Sequence, residues 1–200
     1  MTIARLESLG KWLAAVAFLA ALAVADRAVA SPESAAQFVE RFGNQAIEAL
    51  REPGLGDAER EALVRDLLRR GLDLAFIGRF VLGKNWARAT AAQQADYLAL
   101  FEGYVVKTYA TWFARNVGER LTVVGARQAN PKDVVVRTRI ERRNQPAIFA
   151  EWRVRAIADQ DRIIDIASNG ISLAGNQRLE FETVVRRNGI DGLIAFLRGR

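Results

Sequence analysis

Nucleophilic and acid–base catalysis near neutral pH rests most often on histidine or cysteine, and this chain of 200 residues contains neither. Triads built on those residues are ruled out, and the commonest metal ligand is missing as well. There is no G-x-S-x-G elbow, no P-loop and no G-x-G-x-x-G turn. Asp165 is the one acid inside an apolar strand-like run, Ile163-Ile164-Asp165-Ile166-Ala167. It could be a buried functional carboxylate, but a lone acid in such a run is expected to face solvent or to pair with an arginine. No second acid stands at a spacing that marks a glycosidase-type pair. The residue types argue against an enzyme, with neither a cofactor nor a metal implied.

What the chain has in excess is aromatic and aliphatic surface at regular spacing. Thr90-Ala91-Ala92-Gln93 fits a capping box. From there Tyr97, Phe101, Tyr104, Val105, Thr108, Tyr109 and Trp112 recur at intervals of three and four, which predicts a long helix to about Asn116. The period then switches to two. Strands are expected over 121–125, 134–140, 147–157 and 162–168, forming an antiparallel meander with one apolar and one charged face. Val134, Val136, Thr138 and Ile140 share the apolar face with Ile148, Trp152, Val154, Ile164 and Ile166. Arg137, Arg139, Arg153 and Arg155 lie on the other face and are expected to pair across strands with Glu141 and Glu151, or to form a docking face for membrane partners. A helical stripe facing a sheet is how any α+β domain fills its core. Periodicity alone therefore leaves a packed core and a ligand cavity both open.

The flanking elements read as helices. Ser31-Pro32-Glu33 is a helix start, and the stripe Ala35, Phe38, Phe42, Ala46, Ala49, Leu50 runs to the break at Pro53-Gly54. Asp57 is expected to cap a second helix that ends at Gly71. Residues 72–82 read as one or two short turns, with Phe76, Phe80 and Val81 inward. Ser172 can cap a helix to about Arg187, and a last helix begins near Asp191 after the Asn188-Gly189 stop.

The first thirty residues stand apart. Arg5 and Lys11 precede the apolar run Trp12–Val24, and Ala28-Val29-Ala30 has the form of a cleavage site. Residues 1–30 are thus expected to be a cleaved signal peptide and 31–200 a single domain. Without the leader's charges the formal net charge falls from +6 to about +5. A basic exported chain suits anionic lipid headgroups or acidic partners. Nucleic acid is a poor fit, because the cations are scattered among carboxylates.

Two blocks carry a family resemblance. GRFVLGKNWARATAAQQADYLALFEGYVVKTYATWFARNVG, from Gly78 to Gly118, holds the order V-L-G-x-x-W, A-T-x-x-Q and F-x-x-Y-x-x-x-x-Y-A. IIDIASNGISLAGNQRLEFETVVRRNGIDGLIAFL, from Ile163 to Leu197, holds a strand, a G-I-S-L junction and a closing G-I-D-G-L helix. Together they resemble the MlaC family of periplasmic phospholipid carriers, auxiliary to an ABC transport system. The resemblance covers roughly residues 33–198. It implies a small twisted antiparallel sheet of about four strands wrapped by helices, NTF2-like, with an apolar cavity between the two. On that footing the lipid-binding candidates are Phe76, Phe80, Val81, Trp86, Phe101, Tyr104, Tyr109, Trp112, Val136, Ile148, Trp152, Val154, Ile164 and Ile166. Arg79, Lys84 and Arg88 flank the Trp86 turn and could hold a headgroup phosphate or touch a partner, although a solvated charged loop is the plainer reading.

The function implied is a monomeric periplasmic shuttle for phospholipid between an inner-membrane ABC transporter complex and an outer-membrane lipoprotein complex, in maintenance of outer-membrane lipid asymmetry. A hopanoid or similar amphiphile is the neighbouring alternative. A cargo-free interaction domain is the alternative of a different class, and a hydrolase of NTF2-like shape is the weakest.

Overall fold

Local capping sets where the helices begin. The computed structural model of the chain describes residues 30–116 and 118–200, without the side chains of 110–116, so the expected leader lies outside the described residues apart from Ala30. Helix α1 (Pro32–Leu50) opens on a reciprocal cap. Ser31 Oγ accepts from the Ser34 N–H at 3.0 Å, and Ser34 Oγ accepts from that of Ser31 at 3.2 Å. Asp57, expected as the cap of α2 (Asp57–Gly71), is instead its first residue. Gly56 takes the cap position and the Glu59 carboxylate accepts its N–H at 2.9 Å, which leaves both acids in the first turn where the helix dipole favours them. Asp73 Oδ1 accepts from the Phe76 N–H at 2.8 Å and starts α3 (Leu74–Leu82). That helix stops at Gly83, whose φ of 59° suits a residue without a side chain. A 3-10 turn (Gly83–Arg88) leads to α4 (Ala91–Asn116), where Thr90 and Gln93 form the expected box at 3.0 and 3.2 Å.

Strands β1 (Arg120–Asn130), β2 (Asp133–Arg142), β3 (Gln145–Ile157), β4 (Gln160–Ser168) and the two-residue β5 (Ile171–Ser172) form an open antiparallel sheet in that order. Strand β1 runs past the expected end at Gly125. A bulge between Val123 and Gly125 breaks the alternation that marks a strand in sequence, while pairing with β2 continues to Asn130. A second bulge interrupts β3–β4 pairing: Val154 faces Ile163 and Arg153 faces Asp165. Ile164 is left as the unpaired residue, and Ile163 takes the place expected of it beside Val154. Helix α5 (Leu173–Arg198) carries both closing helices, joined through a kink at Gly189 (φ 70°). Among the described residues, five α-helices and this sheet make an α+β fold, and no helix is long and apolar enough to cross a membrane.

The apolar side chains sort into two clusters. One lies between α1 and the sheet and contains Val39, Leu121, Val134, Val136, Trp152, Val154 and Ile163. The other is helical, built by α2–α5 and the C-terminal end of α1 around Tyr97, Phe101 and Phe181. The stripe of α4 was expected to face the sheet. It packs instead on α5, α2 and α3, with the Phe101 ring 6.3 Å and the Tyr104 ring 5.5 Å from that of Phe181. Periodicity tells which side of a helix is buried; it does not tell against what.

Asp165 also differs from expectation. Among the described residues it pairs with no arginine. Its carboxylate accepts from Ser172 Oγ at 2.6 Å and from the Ala174 N–H at 3.2 Å, while Ser172 Oγ accepts from the Gly175 N–H at 2.8 Å. The acid tethers the start of α5 to β4, where exposed helix N–H groups need acceptors.

Candidate functional site

Helix α1 reaches the sheet closely because Gly43 has no side chain. A Cβ there would lie 2.5 Å from Leu121 Cδ1. Next to it, the Asn44 amide imitates a strand edge. Its Nδ2 donates to the Leu121 carbonyl at 2.9 Å and its Oδ1 accepts from the Leu121 N–H at 3.0 Å. Helix α2 approaches α1 by the same device: a Cβ on Gly71 would sit 2.2 Å from the Phe42 ring. These two contacts set the walls of a cavity of about 90 Å3 enclosed by α1, α2 and the sheet.

Its lining is apolar throughout. Phe42, Gly43, Ala46, Ile47 and Leu50 come from α1, and Val64, Leu67 and Leu68 from α2 with Leu72 just beyond. Gly118, Leu121, Ile140, Ile148, Trp152 and Ile166 close the sheet side. The indole of Trp152 brings the one polar side-chain group of this wall. Its Nε1–H is turned away to donate to Thr138 Oγ1 at 2.8 Å, and Thr138 donates in turn to the Ala150 carbonyl at 3.4 Å. Among the described residues no buried side-chain nitrogen or oxygen lacks a partner. Among the described residues the cavity lining thus offers no free side-chain donor or acceptor that could orient a polar substrate. It lies on the seam between the clusters: Leu50, Val64, Leu67 and Leu68 belong to the helical one, Leu121 and Trp152 to the sheet one, and Leu72 packs against both.

Of the candidates read from sequence, Ile148, Trp152 and Ile166 come together on this wall. Val136 and Val154 are buried behind it in the sheet cluster, and Ile164 is buried at the β4 bulge. Val81 and Phe101 lie inside the helical cluster, with Trp86, Tyr104 and Tyr109 packed on it. Tyr104 donates its hydroxyl to Gln177 Oε1 at 3.1 Å. Phe76 lies 4.7 Å under the Arg155 guanidinium, and Phe80, expected to face inward, is instead exposed with its ring 5.3 Å under the Arg178 guanidinium. The Trp112 side chain lies outside the described residues. Arg79, Lys84 and Arg88 are exposed and away from the cavity, and Lys84 bonds Glu182 at 2.9 Å. Sequence reasoning did not single out the α1 and α2 lining. The stripe Phe42, Ala46, Leu50 was legible, but the same composition serves a wall and a filled core.

The charged sheet face pairs differently from expectation. Arg153 and Arg155 converge on Asp133 at 3.3 and 2.6 Å rather than on Glu151. Arg139 meets Glu141 at 2.8 Å along its own strand, and Arg137 stands 5.6 Å over the Phe149 ring. Burial opposes ionisation of Asp133, yet hydrogen bonds from Arg155 and Asn130 and the two guanidinium charges outweigh it and hold its carboxyl below the usual value.

The sequence profile of the MlaC protein family matches residues 40–199. The chain belongs to the MlaC family. Every residue that lines the cavity falls inside that match, and membership of the MlaC family indicates a binding and transport protein. A solved structure, the phospholipid-binding protein from Ralstonia solanacearum in complex with a phospholipid, superposes with a TM-score of 0.74 at 23% identity. The likeness covers 82% of this chain and 95% of that one. It establishes that this MlaC-family chain has that protein's fold.

Proposed function

We propose that this protein is a periplasmic lipid carrier. It takes phospholipid acyl chains into the cavity between α1, α2 and the sheet, and shuttles them between an inner-membrane ABC transporter complex and an outer-membrane lipoprotein complex, so maintaining outer-membrane lipid asymmetry. The chain is exported, trimmed before Ser31, and works as a single monomeric domain without metal or cofactor. The observation that carries the reading is a cavity lined by apolar side chains at the seam of two cores in an MlaC-family chain.

The energetics require that cavity to change size. Moving one methylene out of water contributes roughly 0.8 kcal/mol, so a 16-carbon chain represents on the order of 12 kcal/mol. Ligand pockets usually span ~300–1,000 Å3, and 90 Å3 falls below that range. Keeping an empty apolar cavity of ~500 Å3 would cost up to ~12 kcal/mol at ~24 cal/mol per Å3, against about 2 kcal/mol for the cavity as it stands. The small volume is therefore the stable one, and acyl chains must widen it as they fill it. The seam is where widening disrupts least, since the clusters can part while each keeps its own packing. They remain joined at Leu72 and Asp73, where the Asp73 N–H donates to the Ile163 carbonyl at 3.0 Å.

A ligand that binds only the folded state stabilises it by about 2.7 kcal/mol at a hundred times its Kd. For a domain of this size that raises the melting temperature by roughly 5–10 °C. Calorimetry of lipid-loaded and organically stripped protein measures the difference. Equal melting temperatures would count against the carrier reading.

A further inference from the structure

The cations that stand away from the cavity do not stand alone. Helices α3 and α5 pack together, which brings Phe80 of α3, Lys84 of the 3-10 turn, and Arg178, Glu182 and Arg186 of α5 into one group, with the exposed Arg79 beside Phe80 on α3 and Leu179 beside Arg178 on α5. The Arg178 guanidinium lies 5.3 Å over the Phe80 ring and packs against Gly83. Lys84 bonds Glu182 at 2.9 Å. The Glu182 carboxyl is held below its usual value, first by that hydrogen bond and the Lys84 charge and then by Arg178 and Arg186. Glu180, the other acid on this stretch of α5, accepts from Asn176 and Gln177. Two large apolar side chains protrude among these cations: Phe80 is 41% exposed and Leu179 66%.

We propose that this face docks the protein on an anionic lipid bilayer. Phe80 and Leu179 enter the headgroup layer, while Arg79, Lys84, Arg178 and Arg186 meet lipid phosphates. Cations around isolated apolar anchors match an interfacial membrane site. A protein interface of useful size has a charge-depleted core, and here the apolar side chains stand singly beside arginines. Arginine forks suit phosphate oxygens. The inference goes beyond the carrier reading and uses none of the cavity residues.

The test is flotation of protein, expressed from the full chain and purified, with vesicles of phosphatidylcholine alone or of equimolar phosphatidylcholine and phosphatidylglycerol. The protein should float with the anionic vesicles only. Each cation at such a surface strengthens partitioning about fivefold, so R79E/R186E should weaken it more than tenfold. F80S/L179S should remove the binding that survives high salt. R127E/R137E makes the same charge change on the outer sheet face and should leave binding within about twofold. Equal losses from the two charge reversals would reduce the effect to diffuse attraction and overturn the proposal. So would a wild-type protein that stays off anionic vesicles, and a protein partner captured on this face in its place would reassign it. Lipid extraction from the same samples keeps the two readings apart. Lipid-free protein that still floats leaves docking intact, whereas loaded protein that does not float removes docking alone.

Discussion

Replacing Ala46 with phenylalanine is expected to cost the protein most of its lipid while leaving it folded. Ala46 is half-buried on α1, lines the cavity and packs against the helical cluster. A ring at that position grows into a space of about 90 Å3 bounded by Val64, Leu67 and Trp152. Overpacking costs roughly 1–3 kcal/mol and the poorer helix propensity about 0.5 kcal/mol, and burial of the ring offsets much of this. The widened state loses more, because a fixed ring occupies volume that an acyl chain would fill. The lipid content of purified protein should fall at least tenfold, against a matched A195F variant on the exposed side of α5. Folded A46F protein that carries its full complement of lipid would place the acyl chains elsewhere.

The largest loss of stability from one side chain on the other sheet face is expected at Asp133. It is 2% exposed and joins β2 to β3 by holding Arg155 at 2.6 Å and Arg153 at 3.3 Å. Asn130 adds a bond at 2.8 Å. Removing one partner of a buried pair typically costs about 3–5 kcal/mol, because the other charge is left uncompensated. Arg153 is 44% exposed and recovers water, so Asp133→Ala should fall near the low end, about 3 kcal/mol. The pH dependence has a definite sign. A carboxyl whose folded pKa is lowered contributes its full stability above the unfolded pKa and loses it as pH falls through the folded one. For Asp133 the loss begins below about pH 4. Urea denaturation of wild type and D133N across the acid range should show a steeper acid limb in wild type. Parallel limbs would mean that Asp133 is not the group that titrates.

Much of this fold can be read in the chain, since each legible feature rests on a local rule. Ser31 and Thr90 mark helix starts by hydrogen bonds that close within three residues. Trp152 points inward because strict alternation on β3 leaves it no other face. What fails to show is whatever depends on pairing between distant segments. The β4 bulge exchanges Ile163 for Ile164 on the cluster side, and nothing in two adjacent isoleucines announces it. The stripe of α4 is equally well satisfied by a helical neighbour and by a sheet. The cavity was the least legible feature, because Phe42, Ala46 and Leu50 read as an ordinary buried face. Gly43 was the available signal: a glycine within a helix's apolar stripe, where the chain gives up helix propensity for close approach. A cavity between sheet and helices is implied by the family resemblance alone, and it lies at the seam beside α1 and α2 rather than under α4, which packs on other helices.

The central claim is that the cavity is a container for acyl chains. Native mass spectrometry, with organic extraction of the same sample, on protein purified from a periplasm without detergent tests it most directly. A stoichiometric phospholipid adduct, lost in A46F, is the predicted result. A lipid-free mass from folded wild-type protein that takes up no phospholipid when offered it in vitro would contradict the account.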